Sequence, residues 1–292
     1  MTAIYRRELR SLFRGVLSWI LIAAWLLLGG VLVVTQNLAG SSSLFSNSIR
    51  TLSDYLVFTM PLLAVRCFTW DQRRGEILWI RSLPVSATGL FLGKYLAALT
   101  VFAIPTAFYA LFPPLLANFG YVSYGTAYTA LFGYFLLGAA WLAVCAFVAS
   151  RFRRVWLACL VTLLLGVAIY LLLLLEAVFM VLPLIGFLIC LLACVAAGAA
   201  VGLCQKRWVK GVLAGGIPAA LLTVCYFVYR PLFSLWIPRV LSFVALFGRL
   251  DGFCSGYLDL SALVFYGCVL ALFGYFAVSY PLTNFEKGGK KQ

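Results

Sequence analysis

Thiols and carboxylates are the side chains of this sequence that could do chemistry, and their spacing decides which kind. The chain holds nine cysteines and no histidine, so mixed Cys/His zinc sites are excluded. Cys190 and Cys194 are one helical turn apart, but two thiols do not make a metal site. Cys145, Cys159, Cys190, Cys194, Cys225 and Cys268 all fall inside apolar runs, where a cysteine reads as a small hydrophobe. The eight carboxylates are Glu8, Asp54, Asp71, Glu76, Glu176, Asp251, Asp259 and Glu286. None falls clearly at the middle of an apolar run, where a charge costs ~2.5–3.5 kcal/mol and would mark a proton or ion relay. That argues against an ion-coupled carrier. Gly89 to Lys94 lacks the spacing of a phosphate loop and the Ser or Thr after the lysine. Without histidine or paired acids no hydrolase or nucleophile site can be assembled. The sequence therefore predicts no catalytic residue, no bound metal and no cofactor of its own.

What surrounds these residues is too apolar for a soluble domain. The chain of 292 residues is 65% hydrophobic and 10% charged, against about 45–50% and about 25% for soluble globular domains. Eight runs are long enough to cross a hydrocarbon core of ~30 Å as helices. They lie near Val16–Leu38, Leu52–Phe68, Leu90–Ala117, Ala127–Ala149, Val155–Leu175, Ala177–Cys204, Gly211–Tyr229 and Leu260–Ser279. Pro105 and the pair Pro113-Pro114 predict a kink or an early end in the third. Only Glu176 parts the fifth from the sixth, which predicts a tight hairpin there. Gly198 with Gly202, and Gly211 with Gly215, have the spacing of close helix contacts, a pattern that 25 glycines also produce by chance.

The net charge of +14 could suggest nucleic acid, but the basic residues form no continuous stripe. They sit in clusters between the apolar runs. With the N-terminus in the cytoplasm and the spans alternating, 18 of the 22 Lys and Arg residues lie inside and four (Arg50, Arg230, Arg239, Arg249) outside. That split predicts a multi-pass protein of the cytoplasmic membrane with both termini cytoplasmic. The basic start is followed by an apolar run too long for a signal peptide, with no clean cleavage site, so it reads as an anchor. Tyr5, Leu9, Leu12 and Val16 share one helical face, with Arg6, Arg7, Arg10 and Arg14 over much of the rest. Residues 1–15 thus read as an amphipathic helix at the membrane interface, the plainer reading being a basic flank that sets orientation.

Two other segments depart from the membrane pattern. Residues 230–259 are too apolar for a solvated loop and too interrupted for a span, which predicts an interfacial or re-entrant helix on the outer side. Between Phe68 and Lys94 stands a polar island with four basic and two acidic side chains. Its run Asp71–Leu83 is helix-like and stops at Pro84, whose ring cannot follow a continuing turn. A short charged helix on the cytoplasmic side suits a soluble partner, although an ordinary basic loop would share its composition.

Three matches make the chain resemble the permease subunits of type-2 ABC exporters, in the gliding-motility permease branch. The first is Ile4-Tyr5-Arg6-Arg7-Glu8-Leu9-Arg10-Ser11. The second is the island from Asp71 to Pro84-Val85-Ser86, followed by Leu92-Gly93-Lys94-Tyr95-Leu96-Ala97-Ala98-Leu99. The third is Gly256-Tyr257-Leu258-Asp259-Leu260, running on to Tyr266. The chain departs from the pattern at Trp70 and Leu78, where the pattern carries acids, and Glu76 stands just after Gly75 instead. Glu176–Arg239 reads as an insertion with two added spans. The resemblance implies an all-α polytopic bundle forming a single permease domain over 1–292. It implies a coupling segment at 69–89 in which Asp71, Arg73, Arg74, Gly75, Glu76, Leu78, Pro84 and Val85 meet a separate ATP-binding subunit. It implies an outer motif with Asp251, Gly256 and Asp259, and pairing with a second permease chain, identical or different. ATP would be bound by the partner ATPase subunit, with the lipid bilayer around the permease and no nucleic acid involved. The rival expectation is a membrane scaffold that recruits soluble partners without moving a substrate.

Overall fold

Away from water, a run of Leu, Val, Ile and Ala can satisfy its own backbone N–H and C=O groups as a helix. The computed structural model describes residues 2–40, 44–69, 87–120, 122–152, 154–181 and 245–286, with isolated positions at 187, 191, 216, 222 and 223. Among the described residues every regular element is helical. In chain order these are α1 (Thr2–Arg14), α2 (Val16–Val33) continued by a π-helical turn (Val34–Ala39), α3 (Phe45–Phe68), α4 (Ala87–Tyr109), α5 (Phe112–Ala117), α6 (Tyr124–Ala149), α7 (Val155–Val181), α8 (Leu250–Cys254) and α9 (Leu260–Glu286). Five described stretches are long and apolar enough to cross a bilayer: Val16–Ala39, Phe45–Phe68, Thr88–Ala117, Tyr124–Ala149 and Leu260–Ser279. They are consistent with a multi-pass membrane protein.

The chain forms two compact units, Met1–Ala168 with Leu246–Gln292, and Ile169–Ala245. The second contains the whole stretch read as an insertion, and the expected spans Ala177–Cys204 and Gly211–Tyr229 fall almost wholly outside the described residues. One expectation there is overturned. The turn expected at Glu176 is not at that position, because α7 continues through it to Val181. No Gly or Pro stands near Glu176 to release the helix. Leu175, Glu176 and Ala177 are all good helix formers, so continuing costs less than turning.

In the first unit α3 and α6 form the centre. Their apolar windows are 61% and 67% buried, against 17% for Leu260–Ser279, which lies on the flank. Gly138 of α6 lets the Phe102 ring of α4 lie flat on the α6 backbone. That ring also meets Trp25, Tyr134 and Phe135 at 5.4–6.1 Å between centroids. Buried hydroxyls and indoles bond to neighbouring helices: Tyr95 OH to the Ala139 carbonyl at 2.8 Å, Trp25 Nε1 to Thr59 Oγ1 at 2.9 Å, and Tyr109 OH to the Trp25 carbonyl. Helix α4 passes Pro105, ends at Tyr109, and the chain restarts at α5 with Pro113 in its first turn, where a missing N–H costs nothing.

Helix α3 begins a full two turns before the expected Leu52. Its early residues are polar, but they are paired. Ser48 Oγ donates toward Gln36 Oε1 (3.2 Å) and Asn37 Oδ1 (2.6 Å), and Gln36 Nε2 donates to Thr51 Oγ1 (3.1 Å). The π-helical turn brings Gln36 and Asn37 to this contact.

Candidate functional site

The described residues that frame the polar island are gathered where α1 meets the ends of α3, α4 and α6. Thr69 is the last described residue before the island and Ala87 the first after it. Helix α1 packs lengthwise on α4. Gly93 makes this possible: a Cβ there would stand 2.8 Å from Ile4 Cγ2, so any larger residue would push α1 off. Two helical turns on along α4, Tyr5 OH and Thr100 Oγ1 are 3.0 Å apart.

The charged centre of this joint is Glu8 with Lys94. Both residues are 7% exposed, and Glu8 Oε1 lies 3.7 Å from Lys94 Nζ. Lys94 Nζ also donates to the Cys67 carbonyl at 3.2 Å. That carbonyl belongs to the last turn of α3, which carries the negative end of the helix dipole and wants a cation. Thr69 Oγ1 in turn donates to the Ala149 carbonyl at the end of α6, 3.0 Å away and buried. The ends of α3 and α6, the second turn of α4 and the amphipathic helix are thereby tied into one polar knot inside an apolar surround. A charge in such a place is tolerated when it is paired, and is costly once its partner goes.

This changes the reading of α1. The buried side chains of α1 are Glu8 and Leu12, with Tyr5 and Leu9 half-buried, whereas Val16 is 72% exposed and opens α2. Glu8 was legible only as the lone acid in a basic helix, and Lys94 as a lone cation between Gly93 and Tyr95 in an apolar run. Each signals a need for a counter-charge, but neither names the other. The residues expected to contact an ATP-binding subunit, Asp71, Arg73, Arg74, Gly75, Glu76, Leu78, Pro84 and Val85, lie outside the described residues.

The outer motif lies at the opposite end of the helices. Asp259 caps α9: its Oδ1 accepts from the Ser261 N–H at 2.9 Å, the usual N-cap geometry. Gly256 has φ +88°, a backbone shape that a side chain would strain, and it packs on Thr126. Asp251 of α8 meets Arg50 of α3 at 2.9 Å. Thr129 Oγ1 reaches the Phe253 carbonyl at 3.1 Å, and the Arg249 guanidinium lies 4.0 Å over the Phe265 ring. The geometry is that of a clasp holding α8 across α3, α6 and α9. The part of residues 230–259 described here is this clasp, from residue 245 onward. No cluster of three or more metal-ligating side chains occurs among the described residues.

The Arg50–Asp251 pair is exposed, with side chains 60% and 45% accessible. Burial of the carboxyl pushes its pKa up, and the Arg50 charge only partly opposes that. Its contribution to stability is thus present below the ordinary carboxylate range and lost as pH rises through the raised value. Asp251→Asn is accordingly expected to shift stability by no more than about 0.5 kcal/mol, and to flatten that pH dependence. Thermal unfolding in detergent at several pH values measures both. A loss several times larger would show that the pair bears weight. No protein-family model matches the chain, and neither a curated protein nor a solved structure matches it.

Proposed function

We propose that this chain is the permease subunit of an ATP-driven ABC exporter of the cytoplasmic membrane, worked by a separate ATP-binding subunit and paired with a second permease chain. In this reading the chain crosses eight times, both termini are cytoplasmic, and the island at 69–89 is the coupling segment. One observation carries the proposal. The two helices that bracket the island, α3 and α4, are tied to each other through Lys94 and Cys67 and to α1 through Glu8 and Gly93. A push delivered to the island would reach α3 and α4 through a stiff, buried joint rather than through a loose loop. The basic side chains support the orientation: Arg6, Arg7, Arg10, Arg14, Arg66, Lys94, Arg151 and Arg154 stand toward this end, while Arg50 and Arg249 stand at the clasp.

The chain contributes no ATPase of its own in this reading, and the substrate class is left to experiment. The test is co-purification of the full chain with an ATP-binding protein from its native membrane, followed by reconstitution in lipid. An ATPase rate that depends on the permease supports the proposal. A complex whose ATPase rate is the same with and without the chain would favour the scaffold reading instead.

A further inference from the structure

The geometry points to a binding surface for anionic phospholipid headgroups on the outer face of α1. This inference needs the chain to be membrane-embedded, but it does not rest on the exporter reading. Arg6, Arg10 and Arg14 recur every four residues and are all exposed, so they form one stripe along the helix. Glu8 is the only acid of α1, and it is turned inward against Lys94. With that carboxylate buried, α1 itself places no acid along the stripe.

The depth of the stripe can be read from its neighbours. Helix α1 lies against Gly93 and Lys94, and Lys94 is level with Cys67, one residue before the end of α3. That is where apolar spans end and headgroups begin. Directly after the stripe come Val16 and Trp19, 72% and 56% exposed. The Trp19 indole donates to the Phe13 carbonyl at 2.8 Å, and its ring meets Phe13 edge-on. An apolar residue and a tethered indole next to arginines are the composition of an interfacial anchor. The three arginines extend over roughly 12 Å of helix. That is too long for one free phosphate to bridge and well suited to a row of headgroups.

The experiment uses the full chain in nanodiscs of phosphatidylcholine containing a small fraction of labelled phosphatidylglycerol, with labelled phosphatidylcholine as reference. Enrichment of phosphatidylglycerol beside the protein is expected, by about fivefold per arginine–headgroup contact at low salt. It should collapse near 1 M salt, where the screening length is ~3 Å. Arg6→Gln/Arg10→Gln/Arg14→Gln should abolish the preference, and the corresponding triple lysine variant should keep it. The salt titration is done on the unmodified chain, so the inference remains testable should the glutamine variant fail to fold. Absence of a salt-sensitive preference in the unmodified chain would overturn it, and so would full retention in a folded glutamine variant.

Discussion

Lys94→Met is expected to destabilise the chain by about 3–5 kcal/mol, the cost of leaving one member of a buried ion pair without the other. Glu8 would stay 7% exposed without the Lys94 charge beside it, and the Cys67 carbonyl would lose the hydrogen bond from Lys94. Glu8→Gln should cost less, because Lys94 keeps that carbonyl. The informative comparison is the double variant Glu8→Gln/Lys94→Met. With both charges removed there is no buried carboxylate left facing an apolar Met, so the double variant should be more stable than Lys94→Met alone. Chemical unfolding in mild detergent, followed by tryptophan fluorescence, gives the three values. Strict additivity of the two single effects would mean that the 3.7 Å approach of the charges is incidental.

The second large effect is expected at the island. Gly75→Trp or Glu76→Lys should detach or uncouple an ATP-binding partner while the chain still inserts in the membrane. In the proposed reading the interface is as small as Asp71–Leu83 and depends on few residues, so loss of one is expected to weaken binding by at least about 2 kcal/mol, roughly 30-fold. Gly75 permits close approach of another surface. Ile77, Leu78, Trp79, Ile80 and Leu83 would cover one side and one end of the helix, leaving Arg73, Arg74, Glu76 and Arg81 to face outward. Pull-down of the partner and the transport-linked ATPase rate are the two readouts. Wild-type levels of both in both variants would remove the island from the mechanism. The joint around Lys94 would then need another role.

Among the described residues, hydropathy alone located the five helices long and apolar enough to cross a membrane. The ends of α3 at Phe68 and of α6 at Ala149, and the start of α9 at Leu260, fall where the apolar runs stop. What escaped the sequence depended on partners distant in the chain. The first two turns of α3 look like a loop until Ser48 and Thr51 find Gln36 and Asn37. Glu8 looks like part of a charged surface until Lys94, 86 positions on, claims it. The turn expected at Glu176 was misplaced for the opposite reason. A single charge was read as a break, although the backbone there had every local reason to stay helical. At the clasp, Asp259 belonged to a motif by resemblance, whereas its place as the cap of α9 is a matter of one hydrogen bond.

The π-helical turn at Val34–Ala39 has a consequence for how this chain tolerates insertions and deletions. A π turn accommodates one residue more than an α turn, so it works as a phase shift in an otherwise regular helix. Each residue of an α-helix advances the side-chain direction by about 100°. Excising a single residue from this turn would let it relax to α geometry and would swing Gln36 and Asn37 away from Ser48. The α2–α3 pairing is thus sensitive to chain length at this spot in a way that composition does not reveal. A substitution of similar size there leaves the phase intact, whereas the loss of one residue resets it for everything that follows up to α3.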